Sequence, residues 1–102
     1  HRMKIVAVTA CPTGIAHTYM AADALKKEAK NRNLAIKVET QGAMGIENPL
    51  SYAEIANSDL VIIASDIEIE QKERFHQANT MHVSIEDVLT DVSRVFDRCQ
   101  KS

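Results

Sequence analysis

Apolar and polar residues follow each other along the chain in blocks that predict strands and helices in turn. Residues 4–9 form a short, largely apolar segment that predicts a first strand, and apolar positions at steps of three and four across 15–29 predict a long helix after it. Residues 34–40 alternate with a period of two, which is typical of a half-exposed edge strand. The run 60–64 contains no polar residue and predicts a strand covered on both faces.

The remaining segments continue this alternation. Ser51 and Glu54 have capping-box spacing and predict the start of a short helix. A further short helix is expected near Gln71, a weak last strand at 80–84 and a closing amphipathic helix over 85–99. Strands that alternate with helices in this way predict an α/β fold, with a parallel sheet between two layers of helices.

A cysteine stands at the point where this topology predicts a ligand site. If strand two pairs with one side of strand one and the 60–64 strand with the other, a ligand is expected at the carboxyl end of strand one. Cys11 lies there and opens the segment 11–18 before the first helix. The positive end of a helix stabilises a thiolate and also binds phosphate. The position therefore predicts phosphoryl transfer through a cysteine.

Composition narrows the class of protein. The 102 residues are expected to form one domain over 4–102, with residues 1–3 interpreted as a cloning remnant and the start. A net charge of −2 without a long basic run argues against a nucleic-acid partner. No apolar run approaches the about 20 residues of a membrane helix, so direct membrane insertion is not expected. Two cysteines at opposite ends of the chain favour a reducing cytoplasm over a disulfide-bonded scaffold.

Three functions remain open for Cys11 on the residues alone. It is a phosphoryl carrier, the nucleophile of a low-molecular-weight cysteine phosphatase relative, or a packed residue in a non-catalytic module that binds phosphate or a partner. A phosphatase of the Cys-x5-Arg type needs arginine six residues after the cysteine, and this chain has His17 there. Histidine grips phosphate less firmly, which favours passing the group on over hydrolysing it. Cys99 lies on the apolar stripe of the last helix and is expected to pack in the core.

Other polar residues have simpler interpretations. His76 and His82 have no partner at metal-ligand spacing, so no metal and no other cofactor is predicted. Glu68, Glu70 and Glu73 are expected to form a solvated face.

The segment 8–22, VTACPTGIAHTYMAA, resembles the active-site segment of the IIB component of the fructose-type phosphoenolpyruvate-dependent sugar phosphotransferase system. Shorter stretches at 38–42, 59–67 and 74–75 resemble the same family in their order and spacing. The likeness covers residues 4–75. Its first segment is long enough to be specific by itself.

The resemblance implies a fold, a role and a set of partners. The fold is a Rossmann-like three-layer sandwich, whose four-stranded parallel sheet has the order 2-1-3-4 with helices on both faces. The role is a phosphoryl relay in sugar uptake. The IIB cysteine accepts a phosphoryl group from the phosphohistidine of a IIA component and passes it to fructose or a fructose-like sugar bound in the membrane-embedded IIC component. The protein is then cytoplasmic and associated with the inner face of the cell membrane through IIC.

Carried onto this chain, the resemblance makes Cys11 the catalytic residue. The phosphate-binding loop is then formed by Pro12, Thr13, Gly14, Ile15, Ala16, His17 and Thr18. Gln41, Gly42 and Asp66 are expected at the rim of the site, where a partner docks. A Gly-Lys pair usually follows Arg-Phe in this family, whereas residues 76–77 are His-Gln here. This departure indicates a fructose-like member.

Overall fold

The computed structural model of this chain describes residues 3–11 and 15–100. Its elements follow the predicted alternation of strands and helices, with one short strand added. The elements are β1 Lys4–Ala10, α1 Ile15–Asn31, β2 Ala35–Gly42, β3 Gly45–Glu47, α2 Tyr52–Ala56, β4 Leu60–Ser65, a 3₁₀ turn Lys72–Phe75, β5 Thr80–Val83 and α3 Ile85–Gln100.

Five strands form one sheet in the order β3-β2-β1-β4-β5. The four predicted strands are β1, β2, β4 and β5, and they run parallel in the expected order, 2-1-3-4. The fifth strand is a correction to the prediction, because β3 pairs antiparallel with β2 and makes the sheet mixed rather than purely parallel. Its three residues are too few for a periodic pattern. It begins at Gly45, whose φ of 86° favours glycine.

Helices cover both faces of the sheet, and each face has its own apolar core. α1 and α3 cover the larger cluster, which includes Leu25 and Phe96. α2 and the 3₁₀ turn cover the smaller cluster, which includes Ile55 and Phe75. β1 contributes side chains to both clusters, because successive residues of a strand point to opposite faces. The predicted three-layer sandwich is confirmed.

The carboxyl ends of the central strands meet at one edge of the sheet. β1 pairs with β2 and β4 so that Ala10 lies opposite Gln41 on one side and Ser65 on the other. The chain leaves the sheet at Cys11, and α1 begins at Ile15. The ends of three strands therefore surround the cysteine, as expected where the strand order reverses.

Short-range signals set the ends of the helices. Ser51 and Glu54 form the predicted capping box at the start of α2. The Asp87 N–H donates a hydrogen bond of 2.9 Å to the Ser84 hydroxyl at the start of α3. Beyond the end of α1, Asn33 has a left-handed φ of 59°. These ends were predictable from residue type and spacing alone.

β2 differs from its prediction as a half-exposed edge strand. β3 pairs with its outer edge, and the second half of β2 is buried. Glu39 departs furthest from the prediction, since its side chain is fully buried at 0 % exposure. Its carboxylate accepts hydrogen bonds from Nη1 and Nη2 of Arg74 at 2.7 and 2.9 Å. It also accepts bonds from Nε2 of Gln41 at 2.7 Å and from the Leu50 N–H at 2.8 Å.

The guanidinium of Arg74 uses its remaining donors on backbone carbonyls. Nη1 donates to Leu50 at 2.9 Å, Nη2 to Glu70 at 3.4 Å and Nε to Gln71 at 2.9 Å. With the two bonds to Glu39, all five N–H groups of the side chain have an acceptor. We name this network the clamp; it consists of Glu39, Gln41, Leu50, Glu70, Gln71 and Arg74.

The clamp shifts the pKa of both charged groups. Burial alone would raise the pKa of Glu39, but the hydrogen bonds that it accepts, first from Arg74, outweigh burial and lower the pKa from its usual 4.5. The hydrogen bond to Glu39 raises the pKa of Arg74. Both groups therefore stay charged at neutral pH, and the pair holds the end of β2 against the segments that contain Leu50 and Glu70.

Replacing one partner tests the clamp. Arg74→Met leaves a buried carboxylate without its counter-charge, and we expect the free energy of unfolding to fall by about 3–5 kcal/mol. Lys37→Met is the matched control, because Lys37 lies on β2 like Glu39 but forms an exposed ion pair with Glu54 of α2. Its loss should cost less than about 1 kcal/mol. Urea unfolding followed by circular dichroism measures both variants. Equal losses would contradict the structural role of the clamp.

The clamp also predicts how stability depends on pH. Because the pKa of Glu39 is lowered on folding, its contribution is complete above its usual value of 4.5 and is lost as the pH falls through the lowered folded-state value. Glu39→Gln should be less stable than the wild type at pH 7, and this difference should shrink at acid pH as the wild type takes up a proton. Urea unfolding at a series of pH values measures the difference in the free energy of unfolding between the two proteins. A difference that stays constant with pH would contradict the prediction.

Candidate functional site

Cys11 follows β1 directly and lies at the carboxyl edge of the sheet. Its side chain is half-buried, and both cysteines of the chain are thiols. Three residues of the predicted phosphate-binding loop, Pro12, Thr13 and Gly14, lie outside the described residues. The structure therefore bears on the site through the cysteine itself, the start of α1 and the neighbouring strand ends.

The later residues of the predicted loop, 15–18, form the first turn of α1. Ala16 and His17 are exposed there, whereas Thr18 is buried with 1 % exposure. The Thr9 hydroxyl donates a hydrogen bond of 3.1 Å to the Thr18 carbonyl. This bond ties the first turn of α1 to β1. The amino end of the helix, with its positive partial charge, is thus anchored to the strand that ends at the cysteine.

A depression of about 270 Å³ opens beside the thiol. Its lining comes from the ends of β1 and β2 and from the segment after β4, and consists of Cys11, Gln41, Gly42, Ala43, Ile67, Glu68 and Glu70. Two of the predicted rim residues, Gln41 and Gly42, are therefore beside the cysteine. The third, Asp66, is exposed directly after β4 and is not part of the lining.

Four residues of this lining were not named as site residues from the sequence. One is Ala43, in the turn after β2, and the other three are Ile67, Glu68 and Glu70. All three belong to the irregular segment 66–71 between β4 and the 3₁₀ turn. Both glutamates are exposed, as predicted for a solvated face, but they also border the thiol. The pairing of β4 with β1 brings this segment to the site. A signal for that proximity exists in the predicted strand order, which places the end of β4 at the same edge.

Gln41 is buried although it borders the depression, with 6 % exposure. Its Oε1 accepts a hydrogen bond of 2.8 Å from the Glu70 N–H, and its Nε2 donates to the Glu70 carbonyl at 3.1 Å. The same Nε2 donates to the Glu39 carboxylate. The side chain therefore joins β2 to the backbone on the far side of the depression.

Cys99 provides an internal contrast to the first cysteine. It is 2 % exposed and lies in the larger apolar cluster. Burial raises the pKa of its thiol to about 11. A thiol of this kind stays protonated at neutral pH and is a poor nucleophile. The prediction that Cys99 packs in the core is confirmed, and Cys11 is the cysteine that meets solvent.

Across residues 3–11 and 15–100, no three His, Cys, Asp or Glu side chains come close enough together to hold a metal ion. His76 and His82 are both exposed. Among the helices of these same residues, none combines the length and the apolar character needed to cross a membrane.

Comparison with known proteins identifies a family. The family model described as "PTS system, Lactose/Cellobiose specific IIB subunit", where PTS is the phosphotransferase system, matches residues 6–98. The PTS fructose-like EIIB component 2 of Escherichia coli (strain K12) is 44 % identical over 97 residues, which are 95 % of this chain and 92 % of that protein.

A solved structure and a longer relative agree with this match. The crystal structure of a domain of the fructose-specific IIABC component from Borrelia burgdorferi has a TM-score of 0.90 and 43 % identity, over 96 % of this chain and 93 % of that one. The PTS fructose-specific EIIABC component of Bacillus subtilis (strain 168) is 51 % identical over 82 residues, which are 80 % of this chain but 13 % of that protein. The chain therefore belongs to the IIB family of the sugar phosphotransferase system, and within it to the fructose type.

Proposed function

We propose that this protein relays a phosphoryl group through Cys11 during sugar uptake. As a fructose-type IIB component it is a phosphotransferase of the sugar phosphotransferase system, and the proposal adds the residue and the direction of transfer. The observation that carries it is the setting of Cys11. This half-buried thiol lies at the carboxyl edge of the sheet, directly after β1, and borders a depression of about 270 Å³.

The proposed transfer has two steps. First, the Cys11 thiolate attacks the phosphorus atom of a phosphohistidine in line; an S–P bond forms, the P–N bond breaks, and the departing imidazole takes up a proton. A sugar hydroxyl then attacks the same phosphorus atom; an O–P bond forms, the S–P bond breaks, the hydroxyl proton passes to solvent and the thiolate is restored. Phosphoryl transfer asks the protein mainly for alignment and electrostatic support, and the N–H groups at a helix start give such support.

The proposed donor and acceptor are the IIA and IIC components. The name of the Bacillus subtilis relative, EIIABC, joins A, B and C parts in one protein, which supports this partnership. In the proposed relay, IIA brings the phosphohistidine and IIC presents fructose or a fructose-like sugar. Both partners dock at the rim formed by residues 41–45 and 65–70. The relay then takes place at the cytoplasmic face of the membrane, beside IIC.

His17 favours relay over hydrolysis. It stands six residues after Cys11, where a phosphatase of the Cys-x5-Arg type has its arginine, and it is exposed in the first turn of α1. An arginine in that place grips the phosphate with two parallel hydrogen bonds. Without those hydrogen bonds, the transition state for attack by water on a phosphocysteine is less stabilised. The phosphoryl group then stays on the cysteine until an acceptor arrives.

The variant Cys11→Ser removes the proposed nucleophile with little change in volume. We expect it to take up no label from a ³²P-phosphorylated fructose-type IIA protein, because a hydroxyl without an adjacent base is a weak nucleophile at neutral pH. Cys99→Ala is the matched control, since it removes the other thiol and should leave the uptake of label intact. Label on Cys11→Ser would defeat the proposal, and rapid release of inorganic phosphate by the wild type would favour the phosphatase alternative.

Alkylation separates the relay from a module in which the cysteine is only packed. We expect iodoacetamide at pH 7 to modify Cys11 in the native protein, because its side chain reaches solvent. Cys99 should react only after unfolding, because it is 2 % exposed and the pKa of its thiol is raised to about 11. Peptide mass spectrometry after timed quenching gives both rates. Equally slow reaction of the two thiols would support the packed module instead.

A further inference from the structure

Two separate segments form the walls of the depression beside Cys11. One wall is formed by Gly42, the last residue of β2, and by Ala43 in the turn after it, and the other is the segment 66–71, which forms neither helix nor strand. A phosphoryl donor that enters the depression to reach the thiol has to fit between these two walls. Their separation therefore affects transfer by this route.

The wall at 66–71 is held in a conformation that costs energy locally. Gln71 has φ 56° and ψ 37°, in the left-handed region that residues other than glycine occupy at a cost. Nε of Arg74 binds the Gln71 carbonyl at 2.9 Å. Glu70, the residue before Gln71, is held by Gln41, which binds both its N–H and its carbonyl. A turn of this kind persists only while its surroundings hold it.

The amide of Gln41 satisfies its neighbours in one orientation. Nε2 faces two acceptors, the Glu39 carboxylate at 2.7 Å and the Glu70 carbonyl at 3.1 Å, while Oε1 faces the Glu70 N–H at 2.8 Å. The reversed amide would set its oxygen against both acceptors. The residue also lies in β2, which pairs with a strand on each side. Its donor and acceptor are therefore fixed before any partner docks.

We propose that Gln41 is a positioning residue for phosphoryl transfer. By binding the Glu70 backbone it sets the separation of the two walls, and it does so without touching the transferred group. This inference rests on the proposed relay through Cys11. Transfer needs close alignment of the reacting atoms, and a displacement of about 1 Å costs about 100-fold in rate. Arg74, by contrast, supports the stability of the whole clamp.

The variant Gln41→Met tests this inference, because methionine has a similar length but forms no hydrogen bonds of this kind with Glu70. We expect the rate of transfer from phosphorylated IIA to Cys11 to fall about 10- to 100-fold. Amide hydrogen exchange followed by NMR should show faster exchange at Glu70, with unchanged protection in β4. Lys37→Met is the matched control, since Lys37 lies on the same strand but contacts Pro49 and Glu54 away from the depression. Lys37→Met should keep the wild-type transfer rate and the wild-type hydrogen exchange at Glu70.

A size-selective alkylation distinguishes a displaced wall from a loosened fold. In Gln41→Met, the rate of Cys11 modification by a bulky maleimide should rise relative to the rate with iodoacetamide, because the wall no longer limits the opening. Cys99 should stay unmodified, since it lies in the core on the far side of the sheet from the clamp. Modification of Cys99 in the variant would mean general loosening and would overturn the positioning role.

The outcomes also separate this inference from the proposed function. A wild type that accepts no phosphoryl group from IIA would refute both. A wild type that is phosphorylated, beside a Gln41→Met variant with the same transfer rate or the same exchange at Glu70, would refute the inference alone.

Discussion

The bidentate ion pair between Glu39 and Arg74 is the contact on which the shape of the site depends. Taking two charges out of water is costly, and the cost is offset only where the geometry is good and every remaining donor and acceptor is satisfied. Here all five N–H groups of the guanidinium have acceptors, and the carboxylate accepts bonds from three residues. Apolar side chains of equal volume would fill the same space, but they would not bind the carbonyl groups of Glu70 and Gln71.

The sheet and the clamp make different contributions to the site. β1 is buried on both faces and pairs on both sides, so the strand that ends directly before Cys11 is held firmly in place. The sheet thereby fixes where the thiol lies. The clamp fixes the position of the irregular segment 66–71 beside the thiol, because it holds this segment by side-chain hydrogen bonds rather than by a strand ladder. The site therefore consists of a rigid sheet that carries the thiol and a separately attached segment that borders it.

A relay has to admit two partners in turn to one cysteine, and the depression suits this requirement. It is bordered by exposed apolar side chains, with Ile67 44 % exposed and Met44, next to the lining residue Ala43, 70 % exposed. Glu68 and Glu70 add negative charge beside them. Such a mixed surface fits the modest contact areas of transient complexes better than those of permanent ones.

The sequence by itself determined the elements with strong periodicity, the helix caps, the place of Cys11 directly after the first strand and the packing of Cys99, whereas the strand order was implied by the family resemblance. Each follows from residues close together in the chain or from the order of strands and helices. Only the tertiary structure decided that β2 is covered at its outer edge, that Glu39 is buried and that Gln41 binds the backbone of the segment 66–71. The clamp joins residues 29 and 35 positions apart. Periodicity records the direction in which a side chain points, and a glutamate that points towards water has the same pattern as one that points towards an arginine.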